Sequence, residues 1–194
     1  MHANISEGIL ASLEPQDEVI LKLIDSARDE IAIRIRMRDT LLAVYVTAVA
    51  ATVGYSKAAF GSEAHTEALY MIPYLSLAFT LLVCYHHSGC ASLAAYCAGE
   101  LYPKLLAKSD APIYERSQTH ARHRTSLLRL RSVGQLLVLI SPTALALAVN
   151  HADATNTVPP RVLYWWFGLV AGAASLVFVL LTHSYQRELQ QRGA

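Results

Sequence analysis

Apolar residues along this chain gather into runs of two kinds. From Pro15 to Ile31 the positions Ile20, Leu23, Ile24, Ala27 and Ile31 recur three or four residues apart, with Lys22, Asp25 and Asp29 on the other side. At about 100° per residue this is one stripe of an amphipathic helix. Beyond it lie stretches without Asp, Glu, Lys or Arg: residues 41–55 (LLAVYVTAVAATVGY), 68–85 (ALYMIPYLSLAFTLLVCY, continuing toward residue 98), 133–149 (VGQLLVLISPTALALAV) and 162–181 (VLYWWFGLVAGAASLVFVLL). A helix takes about 20 residues to cross a bilayer. The pattern predicts an all-α, polytopic membrane protein with four transmembrane helices and cytoplasmic amphipathic and basic helical extensions. A soluble helical core is the competing reading, but uncharged runs on this scale leave too little polar surface to cover it.

The junction at residues 31–50 reads IAIRIRMRDTLLAVYVTAVA, and its first half alternates with the period of a strand. A strand here would need a pairing partner and a turn before Leu41, and neither is visible. The stretch reads instead as the last turns of the amphipathic helix passing the headgroup layer, where arginines snorkel toward phosphates. Glu18–Lys22 and Glu30–Arg34 add pairs spaced four apart with the acid leading, the better order on a helix. Residues 113–132 (IYERSQTHARHRTSLLRLRS) read as a second entering helix, opened by the stop-and-start signal Ser109-Asp110-Ala111-Pro112.

Composition and charge supply an orientation. The chain has 194 residues, of which 16% are charged, against about 25% in a usual soluble domain. All 16 basic residues except Lys57 and Arg161 lie before the first run, between the second and third, or after the fourth. The positive-inside rule therefore predicts cytoplasmic termini, with short external loops near residues 56–67 and 150–161. Tyr164, Trp165 and Trp166 fall at the outer boundary of that arrangement, where amphipathic rings are favoured, and Tyr185 at the inner one. The first thirty residues lack the basic-then-apolar order of a signal peptide, which agrees with a cytoplasmic N-terminus. Cys84, Cys90 and Cys97 share one apolar segment, and an odd number so placed is no disulfide framework.

Several residue sets bear on function. The basic residues Arg34, Arg36, Arg38, Arg122, Arg124, Arg129 and Arg131 form an inner collar. They either fix topology and attract anionic lipid, or hold the phosphate of a nucleotide messenger or a specific lipid. Gly168 and Gly172, with Ala171 and Ser175, make a ribbon of small residues on the fourth run, and Ala43, Thr47, Ala51 and Gly54 a looser one on the first. Such ribbons let helices approach closely in lipid, within one chain or between copies. Ser76, Thr80, Cys84 and His87 fall within about 80° of one another on a helix. They are either backbone-bonded packing residues or a pore or gating stripe with His87 as its proton-sensitive member. Pro142 predicts a kink in the third run, and Pro73 a milder one in the second. No compact zinc pattern, Gly-rich phosphate loop or catalytic triad is present, so no metal, no cofactor, no enzymatic activity and no nucleic-acid partner is expected.

The chain thus divides into a cytoplasmic amphipathic helix (1–40), a first transmembrane hairpin (41–98), a cytoplasmic basic loop and helix (99–132), a second hairpin (133–183) and a tail (184–194). This layout resembles the small multi-helix membrane components of bacterial anti-phage systems, the SLATT-type and four-helix pore-forming effectors. It differs from the SLATT type in having a second hairpin instead of a long cytoplasmic helix. The resemblance implies an inner-membrane protein that oligomerises and permeabilises the membrane under control of a cytoplasmic signal or protein partner. The alternative expectation is a non-conducting sensor or anchor that recruits a soluble effector.

Overall fold

A computed structural model describes residues 15–58, 63–106, 118–152 and 159–192. Every regular element among them is helical: α1 (Pro15–Ala58), a 3-10 helix (Glu63–Tyr70), α2 (Met71–Tyr96), a π-helical turn (Cys97–Leu101), α3 (Tyr102–Leu106), α4 (Gln118–Val149) and α5 (Pro159–Arg192). The alternating stretch at residues 31–38 lies inside α1, so helical continuity prevails over the period-two pattern. Proline suits the first position of a helix because its missing N–H would be unbonded there anyway. Asp17 and Glu18 add negative charge in that same first turn, where the helix dipole favours it. The signal at residues 109–112 lies outside the described residues, and the helix that follows it begins at Gln118.

Three helical stretches are long and apolar enough to cross a membrane: Asp17–Ser56, Glu67–Leu105 and Pro160–Leu189. The apolar part of α4, Val133–Val149, is shorter. Large apolar side chains such as Leu81, Leu145, Phe167, Val170 and Leu181 are exposed around the bundle, as expected where lipid replaces water.

The helix α2 is the hub. It packs along α1 on one side and α5 on another, and α4 closes against both α2 and α5. At one end of the bundle Trp165 turns inward and donates from Nε1 to the Leu147 carbonyl at 3.0 Å, while Tyr164 and Trp166 stay exposed. The ring of Tyr164 also lies 5.9 Å from that of Tyr70, and Arg161 reaches Glu67 at 3.6 Å. The aromatic cluster read from the sequence as one boundary belt thus includes one interhelical strut.

At the opposite end, the N-terminal part of α1 pairs with the π-helical turn and α3, which continue the helical stretch of α2, as a hairpin stalk. The helix α1 has 44 residues, about 66 Å at 1.5 Å per residue, against a hydrocarbon layer of about 30 Å. Ile20, Ile24 and Ala27 pack on Cys97, Leu101 and Tyr102, with Leu105 at the edge. Arg28 donates to the Tyr102 hydroxyl at 3.0 Å. Leu23, placed on the same stripe by periodicity, is exposed, because it lies at the margin of the contact face. The stalk therefore has an apolar core of its own, separate from the core around Tyr45, Val83 and Leu139. Truncating Ile24 to alanine should destabilise the stalk by about 2–4 kcal/mol. Hydrogen exchange should then accelerate at residues 15–30 and 97–106 and stay unchanged around Tyr45.

Candidate functional site, a polar seam inside the bundle

Ser76, Thr80, Val83 and His87 are among the residues of α2 that are buried. Opposite them stand Tyr45 on the core face of α1 and Thr143 on α4, both with almost no exposure. The Thr143 hydroxyl donates to Ser76 Oγ at 2.6 Å. The Tyr45 hydroxyl lies 2.7 Å from Ser76 Oγ and donates to the Leu139 carbonyl at 3.2 Å. Each hydroxyl has one proton to give. The direction of the whole set follows: Thr143 to Ser76, Ser76 to Tyr45, Tyr45 to the Leu139 carbonyl. The chain of donors leaves α4, passes through α2 and α1, and returns to α4 one turn away.

Pro142 lies between the two ends of that loop. It has no N–H, so the Val138 carbonyl loses its usual donor, although α4 runs through Pro142 as one helix. Side chains supply bonds around the break: Ser141 Oγ donates to the Leu137 carbonyl and Tyr45 to that of Leu139.

One turn from Ser76 toward the stalk, Thr80 Oγ1 is buried without a partner among the described residues. Further on lies a small chamber between α2, α4 and α5, lined by Cys84, His87, Gln135, Thr182, His183 and Gln186 with apolar walls. Gln186 Nε2 donates to the His87 carbonyl at 3.5 Å, a long bond that nonetheless ties α5 to α2. Among the described residues, the amide nitrogen of Gln135 and Nδ1 of His86 are also buried without a hydrogen-bond partner. The proposed gating stripe is thus divided. Ser76, Thr80 and His87 face the interior of a single chain, and Cys84 is half-buried at the chamber wall.

The arginine collar divides too. Residues four apart share a helix face and residues two apart do not. Arg34 and Arg38 point at α2, whereas Arg36 is exposed on the far side of α1. Arg34 Nε bonds Glu30 Oε1 at 2.7 Å and its guanidinium lies 5.7 Å from the centre of the Tyr85 ring. Gly89 makes room for it: a Cβ there would come within 2.5 Å of Arg34 Nη1. Arg38 is buried, bonds the exposed Asp39 beside it, and lies near enough to His87 to act on it electrostatically. The side chains of Arg122, Arg124, Arg129 and Arg131 lie outside the described residues.

The ribbon of α5 packs within the chain. A Cβ on Gly168 would meet Leu147 Cδ2 at 3.2 Å and Pro73 Cγ at 3.3 Å, and one on Gly172 would meet Thr143 Cγ2 at 2.8 Å. Ser175 is buried and donates to the Ala171 carbonyl at 2.9 Å. The ribbon of α1 is open. Ala43, Thr47, Ala51 and Gly54 are exposed, and a Cβ on Gly54 would meet nothing within 4 Å. Among the described residues no three His, Cys, Asp or Glu side chains are placed to share a metal ion.

Sequence reasoning missed Tyr45, Thr143, Gln135, His183 and Gln186. A tyrosine in the middle of an apolar run was the available signal, since a buried phenol needs a hydrogen-bond partner. No family model, curated protein or solved structure matches the chain.

The glycine contacts predict unequal effects of equal substitutions. Thr143 cannot turn away from a methyl at position 172 without losing its bond to Ser76. Gly172→Ala should therefore destabilise the bundle by about 1–3 kcal/mol. Gly54→Ala, facing open space, should leave stability unchanged or raise it by about 0.5–1 kcal/mol through helix propensity. Thermal unfolding of both variants in the same detergent checks the contrast.

Proposed function

We propose that the protein is a four-span inner-membrane anchor with both termini in the cytoplasm, whose α1–α2 stalk recruits a soluble effector protein. The observation that carries this reading is the seam. Ser76, Thr80 and His87 are turned inward, and Ser76 is bonded to residues of the same chain. An oligomeric pore lined by that stripe would have to break the donor loop in every subunit. The distribution of basic residues supports the orientation. In that orientation the stalk, which has its own apolar core, lies on the cytoplasmic side. There Val19 and Leu23 offer uncovered apolar side chains one turn apart, suited to a helix of a partner. The role is non-enzymatic.

A second reading has a specific observation in its favour. The open ribbon Ala43, Thr47, Ala51 and Gly54 is the kind of surface on which membrane helices associate, here with a second copy of the chain. Assembly through α1 would agree with the permeabilising role that the anti-phage resemblance implies. In that reading Arg36, on the same side of α1, would meet the lipid headgroups or the phosphate of a nucleotide messenger.

Purified full-length protein in dye-loaded vesicles separates the two. The anchor reading expects vesicles to hold their dye, and expects Leu23→Glu to insert normally while losing the cytoplasmic protein that co-purifies with the wild type. Dye release at protein-to-lipid ratios where control membrane proteins leave vesicles tight would favour permeabilisation.

A further inference from the structure

Of the three stretches long and apolar enough to cross a membrane, Asp17–Ser56 is the least covered by its own chain. Only 11% of its most apolar window is buried, against 39% for Glu67–Leu105 and 33% for Pro160–Leu189. The reason is its place at the edge of the bundle, where α1 packs mainly along α2. The side of α1 turned away from α2 is not patterned like the rest of the exposed apolar surface. On α5 the exposed positions carry large side chains, among them Phe167, Val170, Val177 and Leu181. On α1, Ile33, Met37, Thr40, Val44, Thr47 and Ala51 are all exposed and recur four and three residues apart in alternation. That is the seam spacing of helices that pack lengthwise on one another. Thr47 stands about 160° around the helix from Tyr45, so the seam and the core contact occupy opposite sides.

Two features of the seam decide what covers it. Its inner end, Ile33 and Met37, is half-exposed among Arg34, Arg36 and Arg38. In the proposed orientation these arginines mark the headgroup level, where acyl chains give apolar side chains little cover. Its outer end, Val44, Thr47 and Ala51, carries no side chain larger than valine. Such residues leave lipid little to pack on but let a second backbone come close. A helix lying parallel to α1 covers both ends. A second copy in the same orientation brings matching residues to each level, Ile33 and Met37 to their like and Thr47 and Ala51 to theirs. The next position of this frame toward the stalk is Glu30, whose carboxylate already holds Arg34 at 2.7 Å. The apolar contact ends there, which leaves Val19 and Leu23 of each stalk uncovered.

We propose that two copies of the chain pair through residues 33–51 of α1, side by side and in the same orientation. This rests on the membrane orientation and the open α1 surface proposed above, and gives that surface a register and a partner number. Both copies use the same patch, so the interface is self-complementary and closes at two. The pair presents two stalks on one face and encloses no lumen. At 1.5 Å per residue the seam is about 28 Å long, and for a helix about 10 Å across it covers roughly 300 Å² per copy. A standard interface between soluble proteins covers about 800 Å² per partner. The pair is therefore reversible and follows the protein-to-lipid ratio.

The test is energy transfer between full-length chains carrying a donor or an acceptor dye at the N-terminus, mixed in phosphatidylcholine–phosphatidylglycerol vesicles. Transfer should rise and saturate with the protein-to-lipid ratio. At saturation it should vary linearly with the acceptor fraction, the signature of a pair. Thr47→Leu and Ala51→Leu, at exposed positions, should each need at least ten-fold more protein per lipid for half-maximal transfer. Val46→Leu, on an exposed flank about 100° from Thr47, should leave the curve unchanged. Ile33→Ser should weaken the pair in the same direction as the leucine variants, which keeps the test available if those insert poorly. Transfer no greater than that of a monomeric control membrane protein overturns the proposal. So does a curved dependence on acceptor fraction, or equal curves for the wild type, Thr47→Leu and Ile33→Ser. Alkaline washing reads the membrane premise separately. Chains stripped from the vesicles contradict insertion and the pair with it, whereas chains that stay and show no transfer contradict the pair alone.

Discussion

The loop of hydroxyls from Thr143 through Ser76 and Tyr45 to the Leu139 carbonyl is the constraint on which the bundle depends. In an apolar interior no water is at hand for these groups, and an unbonded buried hydroxyl costs roughly 1–3 kcal/mol. The loop closes only if α1, α2 and α4 present particular faces to one another at one level. It therefore sets the rotation of three helices at once, which non-directional apolar packing does weakly. The fourth helix follows from the same point. Gly172 of α5 approaches Thr143 so closely that no Cβ fits, and Gly168 settles against Pro73 and Leu147.

From this node α1 runs without a break into the stalk. Tyr45 and Ile24 lie on the same unbroken helix, and the 21 residues between them correspond to about 32 Å at 1.5 Å per residue. Arg34 and Arg38 occupy the stretch between the two apolar cores, turned into the hairpin and against α2. Each is paired with a carboxylate of its own helix, Arg34 with Glu30 and Arg38 with Asp39, which distinguishes them from a lipid-facing collar. The polar interior, the inward arginines and the stalk are thus successive levels of one structure, joined by α1 and α2.

Much of this was legible in the sequence. Apolar periodicity marked Ile20, Ile24 and Ala27 as one stripe, and these three form the stalk core. Three of the four uncharged runs marked helices long and apolar enough to cross a membrane, and the run at 133–149 is shorter. The arginines were grouped by nearness in sequence, and the helical angle between residues two apart separates Arg36 from its neighbours. The stripe Ser76, Thr80, Cys84 and His87 was placed on one face, but a single helix does not reveal whether that face meets water, lipid or another helix. Tyr45 and Thr143 supply the answer from 31 and 67 residues away along the chain. The phenol of Tyr45 signals that a partner is needed, but which residue it pairs with leaves no local signal.

The interaction energy between Tyr45 and Ser76 tests the central claim most directly. Tyr45→Phe, Ser76→Ala and the double variant would be compared by reversible unfolding in mixed micelles, as a double-mutant cycle. A closed donor loop predicts that the second substitution costs clearly less once the first is made, with a coupling of about 1 kcal/mol, toward the upper part of the range for hydrogen bonds between membrane helices. Losses that simply add, to within about 0.3 kcal/mol, would show that the two hydroxyls act independently and would contradict the account.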